Sequence, residues 1–337
     1  MDFKRVAIIG TNCLSLSIAL RLKAQKEPPE IVGYDAARVA ADLARAQGAF
    51  DQVERKPGPA CRDADLVIVA VPLADVRDTL EDIAPHLTPD CLIIDTAPLK
   101  APVMHWAEEL LPETVTFVGG HPILNPAITG LDPLEGLDEA SEDLLTEALF
   151  CFTTPSEISG AIIDALDDLA LIFDAHPFFI DVAEHDGLQS GVVGLPDLLS
   201  VALLRATADS PGWEEMRKFA GPSFATATAA AADDDNVAER CAAIYLNREH
   251  IVRRLNVLLT ELVSLRDLLS QDDAVLVEEA FTKAVEGREQ WLRDRERGMW
   301  VRDQSIRSEQ APSMGKQIRQ MLLGDLFSQH EKGVQKK

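Results

Sequence analysis

The segment Arg5-Val6-Ala7-Ile8-Ile9-Gly10-Thr11-Asn12-Cys13-Leu14-Ser15 decides the fold. The apolar run that follows Arg5 predicts a buried strand, and Gly10 gives the backbone the freedom for a tight turn. Apolar residues then recur at helical spacing, at Leu14, Ile18 and Leu22. A strand, a glycine turn and a helix in this order are typical of the start of a doubly wound α/β fold, where free N–H groups at the helix N-terminus bind a pyrophosphate.

The alternation of strand and helix continues through the first half of the chain. Further apolar strands are predicted at 31–34, 66–71, 92–94, 115–118, 149–152 and 178–180, with helices at 13–25, 38–47 and 157–173. Strands that are apolar throughout are typical of a mostly parallel sheet covered by helices on both faces. We therefore predict a Rossmann-like, doubly wound α/β domain over residues 1–182.

The second half of the chain is predicted to be all-α. Helical patterns cover 195–206, 238–269 and 274–297, and the middle helix carries a long stripe of leucines. A stripe of this length needs a large partner surface, which favours a homodimer over a monomeric bundle. Residues 183–300 are predicted to form a helical substrate and dimerisation domain. Residues 301–337 read as a polar tail, in which Ile318, Met321, Leu322 and Leu326 would form a docking helix.

Composition limits the partners. The 337 residues carry a net charge of −24, which disfavours nucleic acid and anionic membrane surfaces but leaves room for a small anionic substrate in a local basic pocket. No apolar run approaches the ~20 residues of a membrane span, and no signal peptide is evident. The five cysteines are scattered singly, so neither zinc nor disulfides are indicated and a cytoplasmic location is expected.

The nucleotide turn departs from the usual G-x-G-x-x-G pattern. Only Gly10 of the three glycines is present; Asn12 stands at the second position and Ser15 at the third. Asn12 tolerates a left-handed backbone, but its side chain is expected to crowd the phosphate site. The candidate cofactor-binding residues are Gly10, Thr11, Asn12, Cys13, Leu14, Asp35, Arg38, Val71 and Pro72.

Asp35 supports the nucleotide interpretation. It ends the second strand, 25 residues after Gly10, near the offset expected for a carboxylate that binds a ribose 2′-hydroxyl. This favours NAD over NADP, although Arg38 nearby keeps NADP possible. The alternative is a Rossmann-like domain without a dinucleotide.

The stretch Val118-Gly119-Gly120-His121-Pro122 supplies a candidate base. It follows the predicted strand at 115–118, so the two glycines are expected to turn the backbone and leave His121 at the strand's carboxyl end. Ligands bind at that end of an open α/β sheet, and histidine exchanges protons near neutral pH. The alternative is a structural histidine bonded to a nearby carbonyl.

Taken together, these motifs resemble the prephenate/arogenate dehydrogenase family. The order of segments matches over most of the chain: the nucleotide turn, Gly33-Tyr34-Asp35, 64–72, Asp95 to Lys100 (similar to D-x-x-S-x-K), GGHP at 119–122, Glu184-His185-Asp186, Gly194-Leu195-Pro196 and 221–231. The resemblance implies that His121 accepts the proton of the substrate's ring hydroxyl. It also implies that the carbon bearing this hydroxyl transfers a hydride to a nicotinamide and that carbon dioxide is lost. This reaction is a step of tyrosine biosynthesis. Lys100 and Asp197 are the candidate substrate-binding residues.

Several family residues are missing at the matching positions. The serine of D-x-x-S-x-K falls on Pro98, and an acidic residue after GGHP falls near Ala127. The family segment S-H-L-P-H reads Val193-Gly194-Leu195-Pro196-Asp197, and the arginines of F-R-D-x-T-R fall on Ala225 and Ala229.

Other charged residues have open roles. Lys100 is either a substrate cation or a surface lysine that opens a helix, and His185-Asp186 is either a functional pair or a helix cap. His176 is expected to be structural. Arg205, Arg217 and Lys218 either replace the missing carboxylate clamp or are ordinary solvated charges.

Three functions remain open on the sequence. One is a dehydrogenase of the prephenate/arogenate type. A second is a binding or regulatory protein that keeps the fold and lacks the reaction. A third is a related two-domain dehydrogenase that acts on another small acid.

Overall fold

A computed structural model describes residues 3–125, 129–130, 134, 136–231, 237–271 and 273–296. Its centre is an eight-stranded sheet with the order β3-β2-β1-β4-β5-β6-β7-β8. Neighbouring strands are parallel except at the β6–β7 pair, which is antiparallel. The strands are β1 Arg5–Ile9, β2 Glu30–Tyr34, β3 Gln52–Val53, β4 Leu66–Val69, β5 Leu92–Asp95, β6 Thr116–Ile123, β7 Leu149–Thr153 and β8 His176–Phe179.

Helices cover the sheet and then continue alone. The bounds are α1 Cys13–Lys23, α2 Arg38–Ala46, α3 Pro57–Ala60, α4 Leu73–Ile83, α5 Ala101–Leu110, α6 Gly160–Ile172, α7 Val182–Gln189, α8 Leu195–Thr207, α9 Trp213–Met216, α10 Pro222–Ala227, α11 Val237–Leu246, α12 Arg248–Leu269 and α13 Ala274–Glu296. The mostly parallel Rossmann-like sheet and the helical second half confirm the predicted fold class. The predicted domain boundaries stay predictions, and the predicted tail at 301–337 lies outside the described residues.

The apolar strands bury side chains on both faces, as expected for this class. One buried cluster includes Ile8, Leu66 and Phe150, and a second on the opposite face includes Ile9, Val67 and Ile93. Alternation of odd and even positions along β1 and β4 assigns each side chain to its face. The sheet is therefore a rigid platform for the loops at its ends.

Strand β6 differs from the prediction. It runs from Thr116 to Ile123, so Gly119, Gly120 and His121 lie inside the strand and do not form a tight turn. A Cβ at Gly119 would lie 2.3 Å from Thr153 Oγ1 and 2.7 Å from Lys100 Cδ, and one at Gly120 would lie 2.6 Å from the Asp95 carbonyl oxygen. The two glycines therefore permit a close approach by neighbouring strands and by a buried lysine, which spacing alone did not distinguish from a turn.

The predicted helix at 238–269 is two helices. Between α11 and α12 lies Asn247, which is buried and whose Nδ2 donates to the Asp186 carbonyl oxygen at 2.8 Å. The apolar stripe of α12 is largely exposed, for example at Leu259 and Leu262, and Ile251 is the buried residue of that helix. The described residues therefore leave most of this stripe uncovered, and the choice between a homodimer and a monomeric bundle stays a prediction.

One helical stretch meets the criteria for a membrane span by length and composition. It is Val182–Thr207, counted through the π-helical turn Ser190–Gly194, and 17% of its apolar window is buried. The expectation that no segment approaches the length of a membrane span is therefore wrong. Asp186, Gln189 and Asp197 interrupt the apolar run, but the stretch as a whole is still apolar. Since Asp186 is buried against the sheet, this stretch packs on the domain that precedes it.

Candidate functional site

Gly10 forms the predicted turn between β1 and α1. Its φ is +98°, and a Cβ there would lie 2.4 Å from the carbonyl oxygen of Ala70, the residue after β4. Its N–H donates to the Tyr34 carbonyl oxygen at 2.8 Å. The turn is therefore closed by backbone from both neighbouring strands, and only glycine fits it without a shift.

Asn12 does not adopt the left-handed backbone that we expected. Its φ is −130°, and its side chain caps α1: Oδ1 accepts from Ser15 N at 2.9 Å, while Ser15 Oγ accepts from Asn12 N at 2.9 Å. Asn12 Nδ2 also donates to the Ala70 carbonyl oxygen at 3.0 Å. This capping box uses two donors of the helix N-terminus and leaves the N–H groups of Cys13 and Leu14, the first two of the helix, without a protein partner among the described residues.

A cleft of about 780 Å³ opens over this turn. Its lining contains eight of the predicted cofactor-binding residues: Gly10, Thr11, Asn12, Cys13, Leu14, Asp35, Val71 and Pro72. Arg38 does not line the cleft; it forms an exposed ion pair with Asp42, with Nε 3.5 Å from Oδ2. The structure thus brings together the predicted nucleotide residues, except Arg38, on one surface.

The cleft fits a dinucleotide at two points. The Thr11 hydroxyl is buried and has no hydrogen-bond partner among the described residues. A bound ligand could therefore accept a hydrogen bond from it. Asp35 accepts from Thr11 N at 2.6 Å and from Ala37 N at 2.6 Å, and each carboxylate oxygen keeps a further lone pair for a ribose hydroxyl. The remaining wall is acidic, since Asp75 and Asp78 also line it.

Lys100 is neither a substrate cation nor a surface residue. Its side chain is fully buried, and Nζ donates to Asp95 Oδ2 and to the Gly120 carbonyl oxygen, both at 2.6 Å. Burial lowers the pKa of Lys100 and raises the pKa of Asp95, while their mutual attraction opposes both shifts. The prediction that Lys100 binds substrate is therefore wrong, because its ammonium group is already paired inside the sheet.

His121 lies near the end of β6 with one ring nitrogen engaged. Its Nδ1 is 2.8 Å from His185 Nε2 and 3.3 Å from the amide nitrogen of Gln189. The two imidazoles meet edge to face, with centroids 5.0 Å apart. Burial, and secondarily the charge of His185, lowers the pKa of His121 to about 3, so the ring is neutral at neutral pH. Among the described residues Nε2 has no hydrogen-bond partner, and such a nitrogen can accept a proton.

Asp186 connects this histidine pair to the sheet domain. Its Oδ1 is 2.8 Å from His185 Nδ1 and accepts from Lys100 N at 2.8 Å, and Oδ2 accepts from Ala101 N at 2.8 Å. Those two N–H groups lie at the start of α5, so Asp186 caps that helix. This agrees with the helix-cap interpretation of His185-Asp186. Asp186 also contacts His185. Within the described residues no group of three or more His, Cys, Asp or Glu side chains could hold a metal ion.

A second cavity of about 280 Å³ lies beside the first. Pro98 and Glu239 line both cavities, so the two are contiguous. Asp197 lines the smaller one, where the sequence placed it, and pairs with Arg240: Oδ1 is 2.9 Å from Nη2 and Oδ2 is 3.3 Å from Nε. Gln189 lines the same cavity, so His121 lies directly behind its wall.

Arg240 is the site residue that sequence reasoning missed. It is the cationic residue in the lining of the two cavities among the described residues, whereas Arg205 and Arg217 are exposed and Lys218 pairs with Glu215 on the surface. The three candidates for a replacement carboxylate clamp are therefore not supported. The sequence did contain an indication of this role. Arg240 lies among apolar residues of α11, and an arginine in such a position needs a partner or a ligand.

Four of the positions that lack family residues, namely 98, 193, 194 and 197, fall at this site. Pro98, Val193 and Gly194 line the smaller cavity, and the last two belong to the π-helical turn, a feature that is frequent at functional sites. Ala229 begins a short 3-10 turn elsewhere in the helical region. Ala127 lies outside the described residues.

Comparison with known families and proteins gives a consistent result. Residues 18–176 match the family model described as prephenate dehydrogenase, nucleotide-binding domain, a match that begins after the unusual turn at 10–15. The chain is 25% identical over 271 residues to a prephenate dehydrogenase of Bacillus subtilis, covering 80% of this chain and 71% of that protein. It is 26% identical over 275 residues to a cyclohexadienyl dehydrogenase of Zymomonas mobilis, covering 78% of this chain and 89% of that protein.

Solved structures share the fold. The prephenate dehydrogenase of A. aeolicus, in complex with hydroxyphenyl propionate and NAD+, superposes with a TM-score of 0.73 at 19% identity over 86% of this chain and 99% of that one. The arogenate dehydrogenase of Synechocystis gives a TM-score of 0.71 at 18% identity, over 85% of this chain and 99% of that one. At these identities the likeness concerns the fold.

Proposed function

We propose that the chain is a member of the prephenate/arogenate dehydrogenase family and catalyses the NAD-dependent oxidative decarboxylation of prephenate or arogenate, a step of tyrosine biosynthesis in the cytoplasm. His121 is the base. The observation that carries the proposal is the position of the His121 imidazole. It adjoins Gln189 in the wall of the smaller cavity, and its Nδ1 lies 2.8 Å from His185 Nε2, so we assign proton acceptance to Nε2. A base must lie within hydrogen-bond reach of the proton it takes, and the partial exposure of the His121 ring next to Gln189 in the cavity wall supports this role.

The residues of the larger cleft support NAD as the cofactor. When bound, NAD supplies the hydride acceptor. The N–H groups of Cys13 and Leu14 would hold the pyrophosphate, and Asp35 would hold the adenosine ribose. Because Asp35 would repel a 2′-phosphate and Arg38 lies outside the cleft, we propose NAD rather than NADP.

The smaller cavity supports a small anionic substrate. Its volume of about 280 Å³ and its largely apolar lining suit a six-membered ring. Arg240 directs Nε and Nη2 at Asp197, which leaves Nη1 to donate to one substrate carboxylate. Asp197 then acts on substrate binding by orienting Arg240. We expect weaker substrate binding than a free bidentate arginine would give.

The test is direct turnover. Purified protein is incubated with prephenate or arogenate and with NAD or NADP, and reduced nicotinamide is followed at 340 nm. We expect NAD-dependent turnover with one of the two acids, loss of about 10²-fold or more in kcat for His121→Asn, and a raised KM for Arg240→Met. No turnover in any of the four combinations, from protein that is folded by circular dichroism, would refute the proposal.

A second candidate is a binding protein that retains the fold without the reaction. It is favoured by Pro98 in place of the family serine and by the pairing of Arg240 with Asp197. In this case prephenate or arogenate raises the melting temperature while His121→Asn leaves that shift unchanged and no reduced nicotinamide forms. The two candidates therefore give opposite results for the same variant.

We propose that the exposed stripe of α12 forms a homodimer. Val257, Leu259, Leu262, Leu265 and Leu269 are all at least 42% exposed. A contiguous apolar face of this length is unusual on a monomer. Sedimentation equilibrium should give a dimer for the parent chain and a monomer for Leu262→Glu; a parent chain that is monomeric at micromolar concentration excludes this surface as an interface.

A further inference from the structure

A chain of three side chains connects the candidate base to a buried carboxylate. His121 Nδ1 lies 2.8 Å from His185 Nε2, and His185 Nδ1 lies 2.8 Å from Asp186 Oδ1. His185 and Asp186 are 3% and 1% exposed, so water does not compete for these bonds. We propose that His185 is a positioning residue that fixes the tautomer of His121 and receives its second proton during turnover. This inference rests on the proposed dehydrogenase function.

The tautomers follow from the acceptor at the end of the chain. Both oxygens of Asp186 already accept backbone N–H groups, from Lys100 and Ala101, as an ionised carboxylate does. His185 Nδ1 must therefore carry a hydrogen and donate it to Asp186. A neutral His185 then has its lone pair on Nε2, which accepts the Nδ1–H of His121. The lone pair of His121 is left on Nε2, the nitrogen that faces away from His185.

This arrangement supplies the orientation that the family's serine would give. The position of that serine is Pro98, which has no side-chain donor or acceptor for His121. The amide nitrogen of Gln189 lies 3.3 Å from the same Nδ1, but it is a donor and cannot accept the Nδ1–H of His121. His185 is therefore the main partner that holds the ring.

The proton balance of the step is complete without another reactant. The substrate O–H bond breaks and its proton binds His121 Nε2. The carbon that bears this hydroxyl loses a hydride, for which the NAD of the proposed function would be the acceptor. The Nδ1 proton of His121 passes to His185 Nε2, so the positive charge comes to rest beside the Asp186 carboxylate. After the bond to the departing carboxylate breaks, the phenolate oxygen takes the proton back from His121 Nε2 and the chain returns to its starting state.

The surroundings favour this transfer. Burial lowers the pKa of His121 to about 3, so His121 alone is a weak proton acceptor. Ionisable groups near the pair include the buried ion pair of Lys100 with Asp95 and the thiol of Cys151, which lies opposite His121 in the β6–β7 register. On α12, His250 and Arg254 approach Gly187, two residues after His185. Lys100 further disfavours a charge on His121, whereas Asp186 stabilises one on His185.

The activity test separates orientation from proton acceptance. A glutamine at position 185 can accept the Nδ1–H of His121 through its amide oxygen but cannot take up a proton, and an alanine can do neither. We expect His185→Ala to lower kcat about 10²-fold and His185→Gln about 10-fold, with the affinity for NAD+ unchanged. His185→Gln should also change the acid limb of the kcat profile, because residue 185 can no longer take up the proton that His121 passes on.

The matched control is His176→Gln. His176 also contacts a carboxylate, with Nε2 3.1 Å from Glu147 Oε2, but it is 40% exposed and remote from the cavities. The His176→Gln variant should keep the parent kcat and the parent pH dependence of kcat. Added imidazole should restore part of the activity of His185→Ala, as a purely structural defect would not. If His185→Gln retains the parent kcat and acid limb, the proposal is overturned.

A second readout does not depend on turnover. Ring ¹⁵N shifts from histidine-labelled protein should show His121 with its hydrogen on Nδ1 in the parent chain and in His185→Gln, and a mixture of tautomers in His185→Ala. A parent chain that has the hydrogen of His121 on Nε2 overturns the proposal even if the enzyme is active. If the parent chain turns over neither acid but shows the Nδ1–H tautomer, the proposed function fails and the positioning role of His185 stands.

Discussion

Replacing Lys100 by methionine tests how the site is held together. Methionine keeps much of the length and apolar contact of the lysine stem but removes the ammonium group that pairs with Asp95. Asp95 would keep two backbone donors, Ala97 N at 2.9 Å and Gly120 N at 3.2 Å, and lose its counter-charge inside a fully buried site. Removing one partner of a buried pair costs about 3–5 kcal/mol, so the free energy of unfolding should fall by that amount.

The assay is urea unfolding at pH 7, followed by circular dichroism. The double variant Asp95→Asn with Lys100→Met should recover part of the loss, because no unpaired charge remains. The loss for Lys100→Met should also shrink as the pH falls, since burial raises the pKa of Asp95 and protonation neutralises it. The matched control is Arg77→Met, which breaks an exposed pair with Glu109 and should cost far less. A loss below about 1 kcal/mol for Lys100→Met would refute the reasoning.

Two further predictions concern the turn and the base. Gly10→Ala should lower the affinity for NAD+ at least tenfold, measured by calorimetry, because the new Cβ would lie 2.4 Å from the Ala70 carbonyl oxygen. The control is Gly48→Ala, which should leave that affinity unchanged. Gly48 also has a positive φ, +78°, but no atom lies within 4 Å of a Cβ there. His121 has a folded pKa of about 3 against about 6.5 when unfolded, so stability is undiminished above pH 6.5 and falls as the pH drops toward 3. Between pH 7 and pH 5 the parent chain should therefore lose up to about 2 kcal/mol more than His121→Asn in urea unfolding, and equal losses would contradict the buried neutral ring.

The fold was largely predictable because it is set by local patterns. Apolar runs with glycine or aspartate at their ends located seven of the eight strands, and the two-residue strand Gln52–Val53 was missed because it is too short to carry a pattern. The boundary errors at β6 and at Asn247 have a common cause. Both depend on a contact with a distant residue, which local periodicity does not record.

The site was predictable where it depends on the backbone and unpredictable where it depends on pairing. Gly10 and Asp35 lie where the motif offsets placed them. The partners of Lys100, His121 and Arg240 were not predicted, because each contact joins segments whose meeting is decided by strand order and helix packing. The match to the D-x-x-S-x-K segment made Lys100 a candidate for substrate binding and did not point to Arg240, and the burial of Lys100 overturns that choice.

Asp186 shows why the missing family residues need not remove the base. Its side chain caps α5 and contacts His185, and its carbonyl oxygen accepts from Asn247, the residue between α11 and α12. The orientation of His121 is thus imposed from the helical half of the chain, whereas a serine at position 98 would impose it from the sheet. A base held in this way depends on how the helices pack on the sheet. A perturbation of Asn247, which also lines the smaller cavity, should therefore reach the protonation of His121 through Asp186. Loss of the serine removes one support of the imidazole and leaves another that is buried, hydrogen-bonded at both ends and anchored to two halves of the molecule.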